Sequence, residues 1–150
     1  MAKQSAGIML YRLSAGEIEV LLVHPGGPFW AKRDDGAWSI PKGEFEPHEE
    51  ALHAARREFA EEVGRPAPDG ALISLGQAKQ PGGKVIHAWA LQADFDVTGF
   101  HSNTFSMEWP PKSGRQQQFP EADKAVWFAL PVARQKVVPG QLPFLDRLPV

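Results

Sequence analysis

The chain opens on two runs rich in strand formers, residues 6–13 and 17–24, with Ser14-Ala15-Gly16 between them. Turn residues between two such runs predict a β-hairpin. Val20, Leu21, Leu22 and Val23 are apolar without a break, the pattern of a strand covered on both faces. His24 to Gly36 is a Gly- and Pro-rich loop carrying Phe29-Trp30. A short strand is predicted over Ala37-Trp38-Ser39-Ile40, halted by Pro41.

The period then changes. Leu52, Ala55, Phe59 and Val63 fall at i, i+3, i+7 and i+11, one apolar stripe of a helix. The helix is predicted over Pro47–Val63, with Pro47, Glu49 and Glu50 in its first turn and Gly64 as its stop. Leu72–Ala78 and Val85–Ala93 are predicted strands joined around Pro81-Gly82-Gly83, and residues 99–121 are expected to be loop. Ala125–Phe128 is predicted as the last strand, with short helices over Pro131–Val137 and Pro143–Leu148. This order points to an α/β fold, a mixed sheet with helices packed on it, in a single domain over residues 1–150.

Composition narrows the class. The chain has 150 residues and no Cys, which excludes disulfides, Cys-ligated zinc, iron–sulfur clusters and thiol nucleophiles. A net charge of −2 offers no electrostatic basis for DNA or anionic-membrane binding. No apolar run approaches the roughly 20 residues of a membrane span. The run after Met1-Ala2-Lys3-Gln4-Ser5 is too short for a signal-peptide core. A soluble cytoplasmic protein, monomer or homodimer, is expected.

Candidate chemistry sits on the predicted helix. Glu58, Glu61 and Glu62 at i, i+3 and i+4 share one side, away from the apolar stripe. Three carboxylates so close repel each other, and a hard divalent cation such as Mg²⁺ relieves that repulsion. The competing interpretation is a solvated acidic face with Arg–Glu pairs. Arg56 and Arg57, about a turn before Glu61, are candidates to brace it.

The surrounding residues run Gly43-x5-Glu49-x7-Arg57-Glu58-Phe59-x-Glu61-Glu62-x-Gly64. This resembles the box of the Nudix (MutT-type) hydrolases, G-x5-E-x7-R-E-U-x-E-E-x-G-U with U a bulky apolar residue. The seven fixed Gly, Glu and Arg positions all match. The closing U position is Arg65, a departure that bears on packing rather than on the metal site. The resemblance implies the Nudix fold, a mixed β-sheet sandwiched between α-helices. It also implies Mg²⁺- or Mn²⁺-dependent hydrolysis of a nucleoside diphosphate linked to another group. Carried over by position, Glu58, Glu61 and Glu62 are the metal ligands, with Glu58 or Glu61 also a candidate to orient or deprotonate the water. Arg57 should hold a glutamate, Glu49 should brace the loop–helix junction, and Gly43 should permit close backbone approach.

For the substrate, Pro41-Lys42-Gly43 resembles members acting on dinucleoside polyphosphates or capped RNA more than the Pro-Gly-Gly of nucleotide-sanitising members. Lys42 would add a cation beside the phosphate chain. Small-molecule nucleotides and polyphosphates are therefore the expected partners, with capped RNA less favoured. Nucleoside triphosphate or ADP-ribose hydrolysis, or a non-catalytic nucleotide-binding module, are the alternatives. In the loop 99–121, Lys112 and Arg115 are candidates to grip phosphates and Trp109 to stack on a base. Glu108 or Glu121 is a candidate extra glutamate. Phe29-Trp30 with Lys32 and Arg33 is a second candidate base platform. Trp38, Trp89 and Trp127, and the strand residues His24 and His87, are expected to be structural.

Overall fold

The computed structural model describes residues 3–149. The hairpin forms as expected: β1 (Gln4–Ser14) and β2 (Glu17–Pro25) pair antiparallel from Tyr11↔Val20 to Ser14↔Glu17. Ala15 and Gly16 form a two-residue turn with positive φ at both positions, matching the twist of the flanking strands. The expected strands past the helix are β4 (Leu72–Lys79) and β5 (Val85–Gln92). The last strand is β8 (Ala122–Ala129), longer than its apolar run. The main sheet runs β4-β5-β1-β2-β8, with a short strand β3 (Lys42–Glu44) on β1. Only β1 and β5 pair in parallel, so the sheet is mixed.

Alternation along β1 builds the two layers. Ala6, Ile8 and Leu10 point to one face, where α1 (Ala51–Val63) lays down Ala54, Ala55, Phe59 and Val63. Met9 and Tyr11 point to the other, covered by α2 (Leu130–Lys136) and α3 (Leu142–Asp146) through Ala133, Phe144 and Leu145. Val20 to Val23 are buried on both faces. Trp38 lies in the core on the α2–α3 side, and Trp89 and Trp127 pack half-buried against the core on the α1 side. His24 is 1% exposed, its ring held by the Asp123 carboxylate at 2.8 Å and the Arg33 carbonyl at 2.6 Å.

Three expectations are corrected. The segment 37–40 is no strand: it makes only isolated bridges, Val23↔Ser39 and Trp38↔Val137. The Ile40 N–H donates to the Gln141 side chain instead, and strand pairing resumes after Pro41 as β3. The helix begins at Ala51, not Pro47. Glu49 is drawn out of a first-turn role by Arg57, and Glu50 caps without a side-chain bond. Leu52 is half-exposed, so the buried stripe is shifted to Ala54. Residues 99–121 are not all loop: β6 (Thr104–Glu108) and β7 (Gln116–Pro120) form a separate hairpin, pairing only with each other. Its polar sequence hid it, because an arm with little core behind it needs no strong apolar alternation.

Candidate active site

Two backbone features bring the α1 carboxylates to the end of β3. The helix stops at Gly64, whose N–H donates to Ala60 O at 2.9 Å. The β3 backbone lies directly against the helix: a Cβ placed on Gly43 would stand 2.0 Å from Glu58 Oε2. Only glycine leaves room for that carboxylate. One residue earlier, the Lys42 N–H donates to Glu62 Oε2 at 3.3 Å.

Arg57 ties the acids together. It grips Glu49 with two parallel bonds, Nε to Oε2 and Nη2 to Oε1, each 3.0 Å. Its Nη1 donates to Glu58 Oε1 at 2.9 Å and reaches both Glu61 oxygens at 3.4 Å. Bidentate pairs of this kind fix orientation as well as charge. The pair holds the Glu49 carboxyl below its usual range. Arg56 is exposed and takes no part.

The electrostatics run the other way for the remaining acids. Glu58 is 8% exposed, so the solvated acidic face is ruled out for it. Burial pushes its carboxyl up, reinforced by Glu61 and opposed by Arg57. Burial pushes the Glu62 carboxyl up to about 8, with Lys42 opposing and Glu58 and Glu121 adding to the rise. Glu121 is raised by desolvation and by Glu61, with Lys42 again opposing. Glu58, Glu62 and Glu121 are thus all raised, by burial first and by neighbouring carboxylates second, with Lys42 and Arg57 as the counter-cations.

Glu121 is placed there by the arm. Asn103 N donates to Glu61 O at 2.8 Å, Glu121 N to Asn103 O at 2.8 Å, and Gly26 N to Glu121 O at 3.0 Å. The tip of the arm behaves differently. Glu108 accepts from Lys112 N at 2.9 Å and Gly114 N at 3.2 Å, so it shapes the tip rather than the site. Lys112 and Arg115 are exposed there. Trp109 meets the Phe29 ring edge-to-face at 5.6 Å.

A cavity of about 890 Å³ opens on the Glu49–Arg57 flank, lined also by Lys3, Gln4, Phe45 and Pro47. Sequence spacing gave no hint of Lys3 or Gln4, which arrive through β1–β3 pairing. Among the described residues no three His or acidic side chains are closed into a metal-holding cluster; Arg57 bridges Glu58 and Glu61 instead. The donor set nonetheless fits a hard divalent cation: oxygen ligands only, carrying more negative charge than the two cations offset.

The family model for the NUDIX domain matches residues 1–148. The chain belongs to the Nudix family. The bis(5'-nucleosyl)-tetraphosphatase [asymmetrical] of Caenorhabditis elegans is 39% identical over 63 residues, which is 42% of this chain and 41% of that protein. The match thus spans less than half of that relative's length. The fold is shared with the C. elegans Ap4A hydrolase in a binary complex, with TM-score 0.64 and 22% identity over 97% of this chain and 94% of that one. It is shared also with the NUDIX domain of Shewanella oneidensis NrtR complexed with ADP ribose, with TM-score 0.64 and 16% identity over 98% and 86%. The Nudix box thus occupies the β3–α1 junction. Its departure at Arg65 is accommodated by packing: the guanidinium lies 4.5 Å over the Phe95 ring, bonds the Asp96 carbonyl, and Phe95 in turn meets Phe59 at 5.4 Å. Among the described residues no helix is long and apolar enough to cross a membrane.

Proposed function

We propose that this protein is a Mg²⁺-dependent pyrophosphohydrolase, with Mn²⁺ an alternative ion, that cleaves a nucleoside diphosphate linked to a second group and favours dinucleoside polyphosphates. The observation that carries the reading is the crowding of Glu58, Glu61, Glu62 and Glu121 beside Lys42. Such crowding is unfavourable unless a cation or phosphate-bound cation joins it. A divalent ion held there would neutralise the phosphate chain and lower the pKa of a bound water.

The chain's own residues divide the remaining work. Glu58 and Glu62 hold the ion, with Glu61 completing the set. Gly43 leaves the Glu58 carboxylate unobstructed. Arg57, clamped on Glu49, fixes Glu58 and Glu61 in place and acts as a positioning residue. Glu58 or Glu61 orients the water that attacks phosphorus as the anhydride P–O bond breaks. Lys42 stands on the Glu62 side, where it balances a chain with more phosphates than a simple diphosphate. The resemblance of Pro41-Lys42-Gly43 and the partial match to a tetraphosphatase support the preference for the longer substrates. A cytoplasmic location fits a chain without Cys. The regulatory alternative is disfavoured because each box acid is present.

The test is product-resolved hydrolysis of diadenosine polyphosphates, nucleoside triphosphates, ADP-ribose and capped RNA, with Mg²⁺ and with chelator. Metal-dependent cleavage of the diadenosine compounds at the highest kcat/KM is expected. Equal or better cleavage of another class overturns the substrate preference. Cleavage in chelator overturns the metal reading.

A further inference from the structure

Two segments that were separate candidates in the sequence meet in the fold. The loop after β2 carries Phe29, and the arm β6–β7 carries Trp109. Their rings stand 5.6 Å apart at an interplanar angle of 80°. Phe29 is 63% exposed and is the one aromatic among the strongly exposed large hydrophobics of the described residues. Trp109 is half-buried, and an aromatic pair outside the core with one ring strongly exposed leaves ring surface open for a ligand.

Both segments are rooted on the backbone of glutamates of the site. Gly26 N bonds Glu121 O, and Asn103 N, just before β6, bonds Glu61 O. The roots are also packed tightly, since a Cβ on Gly26 would stand 1.9 Å from the Pro120 carbonyl. The loop turns at once, Trp30 N donating to Gly27 O, so Phe29 stays within about 10 Å of Gly26. Trp109 lies five residues beyond Thr104, about 17 Å along the strand. The aromatic corner therefore stands no more than about 10 Å along the chain from Gly26 and about 17 Å from Thr104, which lies opposite Pro120 beside Glu121. Trp109 N donates to Arg115 O at 2.9 Å, and Lys112 stands in the same tip turn, its N–H donating to Glu108.

We propose that Phe29 and Trp109 form one right-angled platform for a nucleobase of the substrate, the base lying flat on one ring with its edge against the other, while the phosphates reach back to the carboxylates. This rests on the nucleotide pyrophosphohydrolase reading and names the residues that recognise the nucleoside end. The distance suits a base separated from the cleaved anhydride by a phosphate chain. Neither ring touches the reacting atoms, so both are specificity residues.

The experiment compares Phe29→Ala, Trp109→Ala and the double variant, with Trp109→Phe as the conservative control. Each is assayed on diadenosine tetraphosphate and for competitive inhibition by inorganic tripolyphosphate, which has phosphates and no base. Loss of stacking should raise KM roughly ten- to hundred-fold in each alanine variant. The kcat should hold within about threefold, because the platform binds ground and transition states alike. The double variant should be no worse than the poorer single one. Tripolyphosphate inhibition should not change, and Trp109→Phe should keep near-native KM. Unchanged KM in both alanine variants, or an equal loss of tripolyphosphate affinity, overturns the platform. If the native protein cleaves no dinucleotide, the proposed function falls by itself. Calorimetric binding of ADP then judges the platform alone: weaker binding by Phe29→Ala than by the native protein supports it, and equal binding overturns it.

Discussion

The carboxylate cradle and the β6–β7 arm sit side by side and are built on opposite principles. In the cradle each side chain is over-determined. Arg57 makes bonds to three glutamates, Gly43 leaves Glu58 no slack, and the Lys42 backbone holds Glu62. Burial works against the charge of Glu58 and Glu62, and Arg57 and Lys42 offset only part of that cost. The arm has exposed, polar strands that pair with nothing else. Its tip is shaped by one surface glutamate, Glu108. The contrast separates two demands. Chemistry at an anhydride needs fixed geometry, whereas the proposed recognition of a nucleoside end by the arm would tolerate a more adaptable surface.

Substitutions should expose that difference in graded steps. The largest effect is expected from Glu62→Gln, which keeps shape and removes a ligand charge: Mg²⁺-dependent turnover should fall roughly 100-fold or more while circular dichroism stays native. Full activity would remove Glu62 from the ligand set. Gly43→Ala comes next, because its methyl would overlap the Glu58 carboxylate. Turnover should drop about as far, with a stability loss of about 1–3 kcal/mol in urea denaturation. Arg57→Lys retains charge and loses the two-bond grip on Glu49, so kcat should fall roughly 10-fold with little change in KM.

A milder signature is thermal. The Glu62 carboxyl titrates at about 8 when folded, against 4.5 for an ordinary glutamate. Between those values the folded state binds more protons than the unfolded one, so metal-free stability should decline as pH rises from about 4.5 to 8. Added Mg²⁺ should restore the melting temperature most at the upper end of that window. Glu62→Gln should flatten the pH dependence, and a metal-free protein whose stability rises across the window would contradict the assignment. The smallest effect is expected in the arm: Glu108→Ala should cost less than about 1 kcal/mol in urea denaturation, since its bonds lie in water.

Legibility followed how local each feature was. The β1–β2 hairpin, the stop at Gly64 and the flanking strands were readable because turn chemistry and periodicity act within a few residues. The i, i+3, i+4 spacing of Glu58, Glu61 and Glu62 suggested a cation site while leaving a solvated acidic face open, and the resemblance added Gly43, Glu49 and Arg57. The helix start was misread because Glu49 is drawn to Arg57, eight residues on, rather than to the first turn. The segment around Trp38 was misread as strand because its apolar character serves burial beside α2, with its backbone bonded to Gln141. The arm was missed since Gln116-Gln117-Gln118 carries no strand signal.

By itself the sequence determined the class of the fold and the family to which its box belongs, because both are written in short-range spacing: apolar period, turn residues, and carboxylates one helical turn apart. It left the setting of those residues open. That Glu121 joins the glutamates, that Glu58 is buried against a bare backbone, and that Phe29 meets Trp109 across some 80 residues of chain are products of strand pairing and packing. Such contacts depend on which distant surfaces come together, and no local propensity encodes them.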